Sequence, residues 1–115
     1  MRLLAKRGRN EEFLIQAVAL VEARMGDQSF GALAFARAMN VSRTQLYRRL
    51  NAITGQSVNE FIRELRLKRA AELLARGDRR ITEVAFAVGF GNFSYFSRCF
   101  RRKFGVNPSN YARQG

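Results

Sequence analysis

Two stretches of this chain carry the same plan: a short segment with one apolar side, a tight turn, then a second segment that is apolar on one face and basic on the other. A shift of 50 residues superimposes Leu46 on Phe96, Arg48 on Arg98, Leu50 on Phe100, Gly55 on Gly105, Phe61 on Tyr111 and Arg63 on Arg113. In the leading segments the shift is 49, with Ala36 on Ala85 and Asn40 on Gly89. The second turn therefore holds one extra residue. Such a repeat predicts two helix-turn-helix units. A helical solenoid would also repeat, but it gives no reason for the second segment of each unit to be basic.

The clearest of these segments is 92–105. Phe96, Phe100 and Phe104 recur at i, i+4 and i+8 and fall on one helical face, while Ser94, Ser97, Arg98 and Arg101 fall on the other. Asn92 can cap the start and Gly105 can end it. Ser42 to Ile53 has the same character. Ser42 followed by Gln45 is a capping-box pattern, Leu46, Leu50 and Ile53 face inward, and Arg43, Thr44, Tyr47 and Arg48 face out. Each is preceded by a shorter helix, Ala32 to Met39 and Ile81 to Val88. The first has Gly31 as N-cap, Phe30 as a staple, and Leu33, Phe35, Ala36 and Met39 on its buried side. The second has Asp78 or Thr82 as its cap. Asn40-Val41 and Gly89-Phe90-Gly91 make the turns, and Asn40 tolerates the left-handed conformation that such a turn requires.

Three further helices complete an all-α fold of seven. Glu11 to Met25 keeps Phe13, Ala17, Leu20, Val21 and Met25 in helical register, and Gly26-Asp27 stops it. Ser57 to Arg76 is the longest, opened by Ser57 and Glu60 and closed by Gly77. A short last helix starts at Asn107-Pro108-Ser109, with Tyr111 packing back. The expected organisation is a basic, mobile lead-in (1–10), a first helix-turn-helix subdomain (11–55), a connecting helix (56–77) and a second subdomain (78–115). About 20 helical residues span roughly 30 Å, close to the roughly 34–36 Å of one turn of B-DNA. One chain can thus present two recognition helices to successive major grooves.

Charge points the same way. Lys and Arg number 21 against 9 Asp and Glu, a net +12 on 115 residues. A compact domain so basic suits nucleic acid first and an anionic membrane second. A membrane-surface role needs large apolar residues left exposed on a basic helix, and here the apolar faces are taken up by the core. No apolar run approaches the roughly 18 residues of a spanning helix, and Leu3-Leu4-Ala5 is too short for a signal peptide. There is no histidine and only one cysteine, Cys99. No metal site, cofactor site or catalytic constellation is expected, and a lone thiol fits a reducing cytoplasm.

The residues also resemble a known family. Ile81-Thr82-Glu83-Val84-Ala85-Phe86-Ala87-Val88-Gly89-Phe90, followed by the run from Ser94 to Tyr111, is similar to the C-terminal signature of the AraC/XylS (arabinose-regulator) DNA-binding domains. Ser42 to Leu50, Thr54-Gly55-Gln56-Ser57, Phe61-Ile62-Arg63 and Arg66-Leu67-Lys68-Arg69-Ala70 look most like members attached to two-component systems, including hybrid sensor kinases. The likeness runs from about Glu11 to Arg113. It implies a two-lobed fold of seven helices binding adjacent major grooves of promoter or operator DNA. It places base readers at Thr44, Tyr47 and Arg48 and at Ser94, Ser97 and Arg98; the helical faces add Arg43 and Tyr95. Asn40 stands where the family usually has glycine, and Phe93 stands at an often polar position, where it can meet a thymine methyl or pack.

Arginine can bridge guanine O6 and N7, so Arg48 and Arg98 are the foremost candidates for base readout, each worth about 1–3 kcal/mol against a wrong base. Ser42, Arg49, Arg63, Asn92, Arg101, Arg102 and Lys103 are the phosphate candidates, the two helix N-termini supplying backbone N–H groups. The expected role is a sequence-specific bacterial transcription regulator, an activator among its family's types, in the cytoplasm at the nucleoid. The competing reading is a nonspecific architectural DNA-binding protein. Because such domains often sit beside a receiver or ligand-binding domain, the chain is expected to be the output domain of a larger regulator. RNA polymerase is then a candidate partner, and dimerisation would run through the missing part.

Overall fold

A computed structural model describes residues 2–114, with side chains described over 8–113. Met1, Gly115 and the side chains of residues 2–7, where most of the expected lead-in falls, lie outside the described residues. All the regular structure of the described residues is helical, in seven helices: α1 (Arg2–Ala23), α2 (Ala32–Ala38), α3 (Arg43–Thr54), α4 (Val58–Arg76), α5 (Ile81–Ala87), α6 (Phe93–Phe104) and α7 (Pro108–Gln114).

Most helix ends are explained by local chemistry. Ser42 accepts from the Gln45 N–H while the Gln45 side chain accepts from the Ser42 N–H, the full capping box of α3. Asn92 Oδ1 accepts from the Tyr95 N–H at 2.9 Å to start α6, and Asn107 does the same for α7 with Pro108 at the first helical position. Ser57 Oγ accepts from the Glu60 N–H at 3.2 Å at the head of α4. Gly55, Gly77 and Gly105 follow α3, α4 and α6 in the left-handed conformation.

Two expectations about helix starts are corrected. The backbone of α1 is helical from Arg2 rather than from Glu11. Leu, Ala, Lys and Arg are all good helix formers, and Gly8 costs only about 1 kcal/mol, too little to stop propagation. α5 is preceded by Arg80, with no side-chain cap; neither Asp78 nor Thr82 takes that role. The extended backbone at Arg80 starts the helix at Ile81, so Thr82 lies inside the first turn and Asp78 two residues ahead of the cap. Leu33, expected on the buried side of α2, is 49% exposed. Phe35 and Ala36 fill that side, and in a two-turn helix they leave Leu33 facing away.

The described residues form two compact units. The first is built from α1, α2, α3 and the start of α4 (to Ile62); the second from the rest of α4, α5, α6, α7 and the short segment 25–29. In the first, Phe13, Ala17 and Val21 of α1 are buried with Leu46 and Leu50 of α3. Phe30, just before the α2 cap, lies 5.6 Å from Phe35, a hydrophobic staple. Phe35 stacks at 6.0 Å on Phe61 of α4. The second unit has an aromatic spine along α6: Phe90 to Phe96 at 5.1 Å, Phe96 to Phe100 at 5.7 Å and Phe100 to Phe104 at 4.5 Å. Tyr111 of α7 closes edge-on against Phe100 at 5.3 Å, as the sequence leads one to expect. Burial of this order, about 1.5–3 kcal/mol per large apolar side chain, is what holds so small a core.

Candidate nucleic-acid interface

In each unit the turn between the paired helices sets where the second helix begins. After α2, the Asn40 N–H donates to the Arg37 carbonyl and the Val41 N–H to the Ala36 carbonyl. After α5, the Gly89 N–H donates to the Phe86 carbonyl and the Phe90 N–H to the Ala85 carbonyl. Both are Schellman endings, in which one left-handed residue folds the chain back over the last helical carbonyls. Asn40 has φ 59° and Gly89 φ 96°. The second site must be glycine for another reason: a Cβ there would lie 2.3 Å from the Met25 carbonyl oxygen.

The helices that follow carry the predicted readers. Arg43, Thr44, Tyr47 and Arg48 are all exposed on α3. The first three line an open groove of about 600 Å³ together with Ala32, Ser57, Val58 and Asn59. The head of α4 thus joins the α3 face; Asn59 was not expected there, since only proximity in space reveals it. On α6, Ser94, Tyr95 and Arg98 are exposed and Ser97 is half-buried. Phe93 is 37% exposed and its ring is tilted on Phe96 at 6.1 Å, so it packs in part and keeps part of its surface open.

The cations divide into engaged and free. Arg43, Arg48, Arg98, Arg101 and Arg102 are exposed, and none is held in an ion pair among the described residues. Three of the predicted phosphate binders are instead occupied within the protein. Arg49 lies over the Phe13 ring at 4.0 Å. Lys103 is ion-paired with Glu64 of α4. Arg63, half-buried on α4, directs Nη1 to the Tyr95 hydroxyl at 3.5 Å, and this bond raises its already high pKa further. Arg101, Arg102 and Lys103 also crowd the last turn of α6, where positive charge is favoured by the helix dipole. Ser42 and Asn92, the remaining phosphate candidates, are exposed at the helix starts they cap.

Arg66 was not singled out by its sequence context for any role at the surface, and it is a structural clasp. Its Nη2 donates to the Asp27 carbonyl at 2.9 Å, tying α4 to the segment 25–29, while Nε is buried without a partner. Burial lowers its pKa, with the Asp27 charge acting in the opposite direction.

Exposed basic and hydrogen-bonding faces on two capped helices, with apolar faces spent on cores, can grip an anionic duplex and read base edges. No helix among the described residues is long and apolar enough to cross a membrane. Comparison with known proteins agrees with that geometry. Residues 35–114 match the model of a family described as a helix-turn-helix domain. Over 102 residues the chain is 43% identical to Histidine kinase P4 of Formosa agariphila, covering 89% of this chain and 7% of that protein. A crystal structure of a transcriptional regulator with an AraC-type DNA-binding domain from Chromobacterium violaceum is 30% identical, with a TM-score of 0.84, covering 93% of this chain and 95% of that one. The DNA-binding domain of AdpA, solved in complex with a target DNA, is 27% identical with a TM-score of 0.79, covering 88% and 90%. The chain spans 7%, 26% and 37% of the length of three of the curated relatives it matches.

Proposed function

Since the chain belongs to the AraC/XylS family of helix-turn-helix DNA-binding domains of transcription regulators, we propose that it reads a specific duplex site with α3 and α6 in successive major grooves. The observation that carries this reading is the pair of exposed arginines, Arg48 and Arg98, at equivalent positions of the two repeats, neither of them in an ion pair among the described residues. α4, with 19 residues, is about 28 Å long, a length suited to one turn of duplex. Arg43, Thr44, Tyr47, Ser94, Tyr95 and Ser97 join the two arginines in base contact. Arg101 and Arg102, which are free, meet phosphates together with the helix starts at Ser42 and Asn92; Arg49 and Lys103 do so after leaving Phe13 and Glu64.

In this reading the domain is the output module of a longer regulator of two-component type, working in the bacterial cytoplasm at the nucleoid. RNA polymerase is its partner in activation, dimerisation runs through segments outside these residues, and the domain itself catalyses nothing. The similarity to a histidine kinase over most of this chain but a small share of that protein supports the modular arrangement.

Selection of binding sites from random duplex DNA tests the proposal. The expected result is two short preferred blocks about 10 base pairs apart, with Arg98→Ala blurring one block and Arg48→Ala the other. If no motif emerges and affinity follows salt alone, the protein is an architectural binder and the base-readout assignments fail.

A further inference from the structure

Tyr95 is an exposed side chain that is nevertheless held in place. It keeps 42% of its surface open. Its backbone N–H is committed to the Asn92 cap at 2.9 Å. Its ring leans on the buried Phe90 at 6.0 Å. Its hydroxyl accepts from Arg63 Nη1, reaching across from α4 at 3.5 Å.

The repeat shows that this arrangement is not a by-product of capping. Tyr95 occupies the third position of α6, and its counterpart 50 residues earlier is Gln45. Gln45 turns its side chain back to the Ser42 N–H and completes the capping box of α3. In α6 that position carries a phenol, which projects outward to an arginine instead. A cap function has been given up in the second unit and an outward hydroxyl gained.

A guanidinium has donors only, so the Tyr95 oxygen must accept from Arg63, and the phenolic proton is left to point elsewhere. A donor that itself accepts from a cation is polarised toward giving its proton. In the major groove the available acceptors are guanine N7 and O6, adenine N7 and thymine O4.

We infer that Arg63 is a positioning residue for base readout: it holds the Tyr95 phenol so that its O–H donates to an acceptor atom on a base edge. This replaces the phosphate role expected for Arg63 from sequence, and it rests on the reading that the outer face of α6 meets the major groove. The arginine acts through the tyrosine. Its removal weakens discrimination at the base pair that Tyr95 touches and leaves the count of phosphate contacts unchanged.

The test uses the full chain, its selected site and a panel of single-base variants across the α6 block, titrated by fluorescence anisotropy at several salt concentrations. Variants are Arg63→Ala, Arg63→Lys, Tyr95→Phe and the Arg63→Ala/Tyr95→Phe double, each first checked for a native helical melt. Arg63→Lys keeps the charge and secures the test against misfolding of the alanine variant. Expected is a loss of discrimination of about 3–10-fold, the worth of one hydrogen bond, at the same base pair for all four. The double variant is no worse than either single, and the salt slope stays that of the parent. An even loss of affinity across all base variants, with the slope flatter by about one contact, makes Arg63 a phosphate binder and overturns the inference. So does a panel in which Arg63→Ala changes nothing while Tyr95→Phe does. Arg98→Ala is measured beside them: if it leaves the α6 block intact, the placement of α6 in the groove has failed as well, a different result from failure of the Arg63 role alone.

Discussion

Asn40 and Gly89 close the same turn in the two halves but meet different surroundings. Asn40 is exposed with φ 59°, so a glycine there relieves a left-handed backbone at no packing cost. Asn40→Gly is expected to leave stability unchanged or raise it by up to about 1 kcal/mol. Gly89 is buried, and a Cβ there would lie 2.3 Å from the Met25 carbonyl oxygen and 2.8 Å from Arg66 Nε. Gly89→Ala is expected to cost about 2–4 kcal/mol, combining a positive φ with a backbone clash; urea unfolding of the two variants checks both signs. The Asn40 conformation was legible because asparagine's tolerance of that region is intrinsic. The tight fit around Gly89 was not, because Met25 and Arg66 reach it only in the folded chain.

Individual helices show the same division. The box formed by Ser42 and Gln45 lies within four residues, and so it could be read from sequence. Ser42→Ala removes a bond that α3 cannot replace and is expected to destabilise by about 1 kcal/mol. Phe100 is fully buried at the centre of the α6 spine, in ring contact with Phe96, Phe104 and Tyr111. Phe100→Ala is expected to cost about 3–5 kcal/mol, seen as a large drop in the denaturation midpoint. The periodicity of the phenylalanines foretold that face. The exposure of Leu33 and the missing side-chain cap of α5 were not foretold: a helix of seven residues gives too little periodicity to orient it, and several polar residues near Ile81 could serve as a cap.

At the scale of the molecule, net charge alone implies steep salt dependence, but each cation contributes according to what already holds it. Arg102 is exposed and has no ion-pair partner among the described residues, whereas Lys103 beside it is tied to Glu64. Arg102→Ala is expected to flatten the slope of log K against log salt by about 0.9 with unchanged base preference. Arg98→Ala should do the reverse, and anisotropy titrations over a range of salt separate them. The seven helices, the caps of α3, α4, α6 and α7, the two turns, the duplicated plan and the basic outer faces follow from residues within a few positions of one another, which is why the sequence by itself determined them. Which cations remain free for a ligand was decided only by the tertiary structure. Arg63 meets Tyr95 across 32 positions, Lys103 meets Glu64 across 39, and Arg66 meets Asp27 across 39. Contacts at such separations depend on how helices pack in space, and no local pattern of charge or periodicity encodes them.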